Sequence, residues 1–391
     1  MLAQVAKLLL AACLLTSCAD APSPAADSGA ATNPGAPRWS IEPRPSILLG
    51  GGQSPHEAFG RIVGVSMLSG GRIAVADASI QQVLVFDSSG RLAFRWGRPG
   101  SGPGEFRNLA GISVAAESLF AFETAPGPSK YHVLHIDDGT FAQGALRDSA
   151  GRLRVLGRLA SGAFLVSRDG FRAVSPPPLE TVQRDTIDIG VFDPLLGSVD
   201  WIGPVPNNSW TSYRLAGTDR LAMTRLPLGA SLAVVALGDL IWIGDTGNGA
   251  IRVVSAEGET LREFTAQVER RELDGQRRAE LRRVAMESVR DELMKARVEA
   301  QYSDDVLPQL EPAFSRFVVS RDSLVWVVSR GAKLDSSEAS VLTRLGERLA
   351  RVSLPPHFVL WDADRDFVAG VRTDSTGAET VVVYRLLRSD R

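Results

Sequence analysis

Residues able to do chemistry are sparse in this chain, and their spacing limits what they can do. There are four histidines, His56, His132, His135 and His357, and two cysteines, Cys13 and Cys18. A catalytic zinc site needs about three protein ligands converging on one ion. His132 and His135 stand three apart in a run that reads as a strand, so they point to opposite faces. They cannot share an ion without a bulge. Asp362-Ala363-Asp364-Arg365-Asp366 alternates carboxylates in a turn, and Ca²⁺ favours clustered oxygens. The glycine and distal Glu of a calcium loop are missing, and Arg365 intrudes. Asp362, Asp364 and Asp366 are therefore a calcium alternative to a plain hairpin turn. No serine nucleophile elbow or paired-carboxylate motif stands out. The expectation is no catalytic residue, no metal and no cofactor. Recognition chemistry remains. Trp201, Trp210 and Arg225 lie around the third and fourth repeats described below, and Arg98 falls in a Gly-rich loop. Aromatic and Arg side chains in loops suit ligand stacking and protein contact. Arg98, Trp210 and Arg225 are the candidate ligand-binding residues.

Cys18 offers a different chemistry. Lys7 gives a basic flank, Leu8 to Leu15 is a short apolar run, and small Thr16 and Ser17 precede Cys18. That order is the grammar of an export signal. The apolar run is too short for a permanent bilayer helix, which needs about twenty residues. Leu15-Thr16-Ser17-Cys18 resembles the lipobox read by the bacterial lipoprotein signal peptidase. The resemblance implies that residues 1–17 are a signal peptide and that Cys18 becomes a lipid-bearing N-terminus. Several acyl chains on one residue anchor stably, where one would be marginal. An ordinary secretory signal that happens to contain Cys18 is the alternative. Ala19, not Asp, follows the cysteine, which leans toward the outer membrane. The expected location is the cell envelope, facing the periplasm or the surface. With Cys13 removed and Cys18 acylated, the mature domain has no thiol and no disulfide.

Lys and Arg number 43 against 45 Asp and Glu, so nothing suggests a nucleic-acid footprint. Residues 18–38 are rich in Ala, Pro, Ser and Gly and have almost no large apolar side chain. Such a segment cannot bury enough surface to order itself and reads as a tether. The remaining length suffices for one large all-β domain or two smaller ones.

From Trp39 onward the chain reads as short β-branched or aromatic runs bounded by Gly, Asp and Ser. Ile62 to Met67, Arg72 to Asp77, Gln82 to Asp87 and Arg91 to Trp96 make one four-stranded meander. Similar units follow at Ala110–Leu146, Leu153–Ile202, Leu221–Phe264, Ala313–Ser353 and His357–Leu387. A period near forty residues points to a propeller. The last unit has only three strands, whereas Trp39 to Leu49 has no partner in the first. A ring must close or expose edges, so this segment is predicted to complete the sixth blade. The predicted fold is all-β: a six-bladed β-propeller over residues 39–391, with a helical insertion between blades four and five.

The first unit runs into Trp96-Gly97-Arg98-Pro99-Gly100-Ser101-Gly102-Pro103-Gly104-Glu105-Phe106. This stretch, with Phe86-Asp87 before it, resembles the NHL-type repeat. The likeness fades outside the first blade. The mature chain is similar to bacterial six-bladed propeller lipoproteins with NHL-like repeats. The glycines read as punctuation between blades, where backbone must turn sharply. A phosphate cradle would need a helix N-terminus after the loop, and none is predicted. The peptide-amidating lyases, a related propeller family, use several zinc histidines, and no matching set is present here.

Ala266 to Tyr302 breaks the β pattern, and the insertion is set at about 266–306. Val284, Val289, Leu293 and Val298 recur near a helical period, and Leu273, Leu281 and Met286 widen the stripe. Acids match bases along it, so its charges read as a solvated face. Gly275 is the expected break. The apolar stripe packs on a propeller face or flank, or serves as a lid or docking helix. Taken together, the sequence describes a membrane-anchored propeller that binds a peptide, a glycan or a partner protein. A propeller enzyme of the lyase or lactonase type, using a channel metal, is the alternative. A structural subunit of an envelope complex is the third.

Overall fold

The computed structural model describes residues 37–51, 58–115, 118–124, 129–136, 139–148, 151–169, 176–215, 217–287, 289–331, 336–374 and 376–389. The expected signal peptide, Cys18, the tether up to residue 36, His56 and the Asp137-Asp138 turn lie outside these residues.

Two short strands come first, β1 (Arg38–Ile41) and β2 (Ile47–Leu49). Blade one is β3 (Ile62–Met67), β4 (Ile73–Asp77), β5 (Gln82–Phe86) and β6 (Leu92–Trp96). Blade two is β7 (Leu109–Ala115), β8 (Ser118–Glu123), β9 (Ser129–His135) and β10 (Phe141–Asp148). Blade three is β11 (Gly151–Arg158), β12 (Phe164–Asp169), β13 (Gln183–Asp193) and β14 (Ser198–Arg214), extended by β15 (Leu221–Arg225). Blade four is β16 (Leu232–Leu237), β17 (Leu240–Asp245), β18 (Ala250–Ser255) and β19 (Thr260–Thr265). Two helices follow, α1 (Gly275–Glu287) and α2 (Glu292–Gln301). Blade five is β20 (Arg316–Val319), β21 (Val325–Arg330), β22 (Ser337–Leu342) and β23 (Arg348–Leu354). Blade six is β24 (Phe358–Ala363), β25 (Phe367–Thr373) and β26 (Glu379–Leu387).

Pairing within each blade is antiparallel between sequence neighbours. The first strands of successive blades touch in a closed order, β3, β7, β11, β16, β20, β24 and back to β3. Those strands line the axis. Burial follows from this geometry. The second strand of a blade is covered on both faces by the flanking blades, so β4 is buried at every position and reads as a near-continuous apolar run. The outermost strand meets water, and β19 has no buried position.

Six hydrophobic cores occupy the seams between adjacent blades, one per seam. Leu119 and Leu134 join Val83 and Val85 between blades one and two. Val381 and Val383 join Val65 and Val75 between blades six and one. The other four cores fill the remaining seams. Inner strands approach closely. A Cβ added at Gly64 would stand 2.7 Å from Ile112 Cγ1, so β3 and β7 need a glycine there.

The ring is closed by the N-terminal strands. β1 pairs antiparallel with β26 through Ser40–Leu387 and Ile41–Leu386, and β2 pairs with it through Ile47–Val383 to Leu49–Val381. Together they give blade six its fourth strand, as the leftover strand required. Trp39 is buried against Trp326 at 6.4 Å, with the Arg388 guanidinium 4.3 Å over its ring.

Two readings need correction. β15 pairs with β14, so residues 221–225 belong to blade three rather than opening blade four. The helical insertion is a hairpin over 275–301, and Gly275 starts its first helix instead of breaking one. Its predicted apolar stripe is only partly used. Leu281 and Val298 are buried, while Val284 and Leu293 are exposed. Arginines supply the missing grip. Arg278 reaches the Leu273 and Pro308 carbonyls, Arg282 reaches the Tyr302 carbonyl, and Arg277 pairs with buried Glu311 at 3.0 Å. These charges hold the hairpin down and are not simply a solvated face.

Candidate functional site

The extension of blade three builds a cleft. β14 pairs with β13 as far as Trp210, and its last five residues, Trp210–Arg214, pair with β15, placing Trp210 opposite Arg225. Residues directly opposite in an antiparallel ladder share a face. Their neighbours Thr211 and Thr224, also opposite, must face the other way. Thr211 and Thr224 are buried, and Thr224 takes hydrogen bonds from Gln301 (2.8 Å) and Arg297 (3.2 Å) of α2. Thus the helical hairpin backs the ribbon, and Trp210 and Arg225 stand on its other face.

That other face looks onto a cleft of about 390 Å³, walled also by Arg154, Asp185, Asn207 and Asn208. Blade four completes it with Leu232 and Val234. Asp185 is occupied: its Oδ1 accepts the Asn208 amide at 2.6 Å and its Oδ2 accepts the Asn207 side chain at 3.3 Å. Arg184, beside it, is held by Asp245 of blade four at 2.6 Å. Arg168 pairs with Asp188 at 3.2 Å and lies 4.4 Å over Trp201. Arg225 is different. Partial desolvation lowers its pKa; Asp185 opposes that shift and the like charge of Arg154 adds to it. A guanidinium stays protonated at neutral pH regardless. The cleft therefore offers an indole face beside two mutually repelling cations.

Arg98 lies elsewhere, in the loop leaving blade one, where it pairs with Glu105 at 2.9 Å on the surface. The structure brings Trp210 and Arg225 together but not Arg98. The loop's amides are already taken, because Glu105 Oε2 accepts Ser101 N (2.9 Å) and Gly102 N (2.8 Å). Gly97 sits at φ +94°, and a Cβ there would meet the Phe106 ring at 2.2 Å. Phe106 is fully buried against Trp96, at 5.3 Å between ring centres. These glycines are blade punctuation.

Asp362, Asp364 and Asp366 do not converge. Asp362 turns to the central channel, where Oδ2 accepts Met67 N and Oδ1 accepts Ala363 N, both at 2.7 Å. Asp364 instead caps its turn through the amides of Asp366 and Phe367. Among the described residues there is no group of three or more His, Cys, Asp or Glu placed to hold a metal. Burial pushes the Asp362 carboxyl up to about 7, against the opposing Met67 amide and Arg321. The native state then holds more protons than the unfolded chain between about pH 4 and pH 7, so stability falls as pH rises through that window. Urea melts should show wild type losing up to about 4 kcal/mol relative to Asp362→Asn across it. Parallel curves would contradict the shift.

His132 and His135 point apart as expected: His132 is fully buried, and His135 is exposed with Ser118 at 2.9 Å. Glu123 went unseen in the sequence. Burial disfavours its charge, but His132 at 2.6 Å and the Arg107 amide outweigh that and hold its carboxyl below the usual range. With Phe106 4.8 Å from the imidazole, the pair pins the seam between blades one and two.

Against known proteins, residues 57–124 match the DUF5128 family model, described as a 6-bladed beta-propeller. A search of curated proteins finds no match. A solved structure of a duf4221 family member from Bacteroides vulgatus is similar at TM-score 0.51 and 11% identity, covering 90% of this chain and 99% of that one. A protein of Bacteroides fragilis described as exported gives TM-score 0.47 at 13% identity, over 88% of this chain and 95% of that one. A virginiamycin B lyase from Staphylococcus aureus gives TM-score 0.42 at 10% identity, over 88% and 99%. The six seam cores, the closed order of inner strands and the family match over blade one agree: the chain is a six-bladed β-propeller.

Proposed function

We propose that this propeller is an envelope-anchored binding module whose ligand seat is the cleft between blades three and four. The observation that carries the reading is the pairing of Trp210 with Arg225 on one face of a ribbon whose other face is fixed by α2. An indole supplies a broad apolar contact with little rotamer entropy to lose, and an arginine fork grips carboxylate or phosphate. The ligand is an acidic glycan or an acidic peptide, or a partner protein presenting one. Calorimetric titration with matched acidic and neutral oligosaccharides and peptides tests this. Acidic members should bind, and binding should weaken with salt; preference for neutral members would refute the reading.

The anchor is Cys18. In this reading residues 18–38 hold the propeller off the membrane, facing the periplasm or the surface, with the outer membrane favoured. Cys18→Ser should move the protein from the membrane pellet to the soluble fraction of export-competent cells. Intact-mass analysis of the wild type should show an acylated N-terminal cysteine. A soluble wild type would contradict anchoring.

A further inference from the structure

We propose that the central channel binds a small organic anion, a carboxylate with an apolar body, between Arg158 and Arg316. This cavity adjoins the cleft, with Leu156 in both linings, but takes a different charged residue of β11. Arg154 of β11 lines the cleft and Arg158 lines the channel cavity. Four residues of strand separate them by about 13 Å.

The cavity measures about 770 Å³ and all six inner strands contribute to it. Its charges do not balance: Arg158, Arg316 and Arg321 face one carboxylate, Asp362. Asp362 has both oxygens engaged by backbone amides, and the cation acting on it is Arg321. Within this cavity Arg158 and Arg316 are therefore without a counter-charge, although Arg158 also borders a neighbouring cavity lined by Asp193, Asp200 and Glu257. The Arg158 guanidinium lies 4.5 Å over Phe120, and its Nε is shielded from solvent with no hydrogen-bond partner. The Arg316 guanidinium lies 4.9 Å over Trp361. Among the described residues neither takes part in an ion pair. Burial lowers the pKa of both. Arginine cannot escape that cost by giving up its proton. Both side chains are half-buried, so part of this cost falls on them, and a bound anion would offset it.

The aromatic rings also fix the two guanidinium planes, so their outward donors are preorganised for a carboxylate. Ser66, Ser113, Ser118, Ser320 and Ser323 also line the cavity, and Ile112, Val114, Val235, Leu237 and Val319 give it an apolar wall. A bare inorganic anion would satisfy the cations and leave this wall wet. An organic anion uses both.

The test is calorimetric titration of the mature protein with benzoate, decanoate and inorganic phosphate. At least one carboxylate should bind, more tightly than phosphate. Arg158→Gln and Arg316→Gln should each weaken it by about tenfold or more, the loss of one charge-assisted hydrogen bond. Arg262→Gln removes a guanidinium 5.7 Å from an aromatic ring on the outer strand β19 and should leave binding unchanged. The ligand-induced change in tryptophan fluorescence should vanish in Trp361→Phe. If Arg316→Gln does not fold, Arg158→Gln decides. Carboxylate binding that is absent, or equal in wild type and both arginine variants, would overturn the proposal. Phosphate binding as tight as the tighter of the two carboxylates would overturn its organic character.

Discussion

Deleting residues 38–49 should abolish the cooperative unfolding transition of the propeller. The segment is small, but it carries the closure of the ring. Without it, β26 becomes an unpaired edge and the sixth blade has three strands. Trp39 and Leu49 leave two different seam cores, between blades five and six and between blades six and one. The backbone bonds Glu42 N to Arg385 O (3.0 Å) and Ser46 N to Val383 O (2.8 Å) go as well. Truncation of one buried tryptophan costs about 3–5 kcal/mol. Domain stability totals only about 5–15 kcal/mol. Two buried anchors and a ladder together are comparable to all of it. Trp39→Ala is the graded version and should remove about 3–5 kcal/mol, read from urea melts. A deletion variant that melts cooperatively within a few degrees of wild type would show that the ring closes another way.

The second large effect is on binding. Removing Arg225 deletes a charge-assisted contact of about 1.5–3 kcal/mol, and Trp210 is of the residue type that anchors interfaces. Trp210→Ala with Arg225→Gln should weaken the best acidic ligand by about a hundredfold or more. The fold should survive, because α2 docks through Thr224 and the Arg225 carbonyl, not through these two side chains. Matched thermal melts of variant and wild type would confirm that. Unchanged affinity in a folded double variant would remove the cleft from the account.

The blades were legible because their middle strands are buried on both faces. Runs such as Ile73 to Ala76 and Val83 to Phe86 can hardly be anything else. The closing strand was legible by elimination. What was hidden depends on where distant pieces land. The pairing of Trp210 with Arg225 needs β14 to run on past its blade, and a strand of seventeen residues has no warning in composition. Arg184 and Asp245 lie 61 residues apart and meet only because blades three and four are neighbours. The helical stripe misled because Val284 and Leu293 stay exposed and arginine-to-carbonyl bonds supply part of the docking instead. Arg98 looked available in sequence because its partner, Glu105, is recruited by a loop that folds back on itself.

The most direct test of the cleft is hydrogen exchange with and without whichever acidic ligand binds tightest. Slowed exchange should concentrate in residues 205–212 and 222–226, with little change in blades one, five and six. Protection confined to the loop around Arg98, or spread evenly over the ring, would contradict a ligand seated between blades three and four.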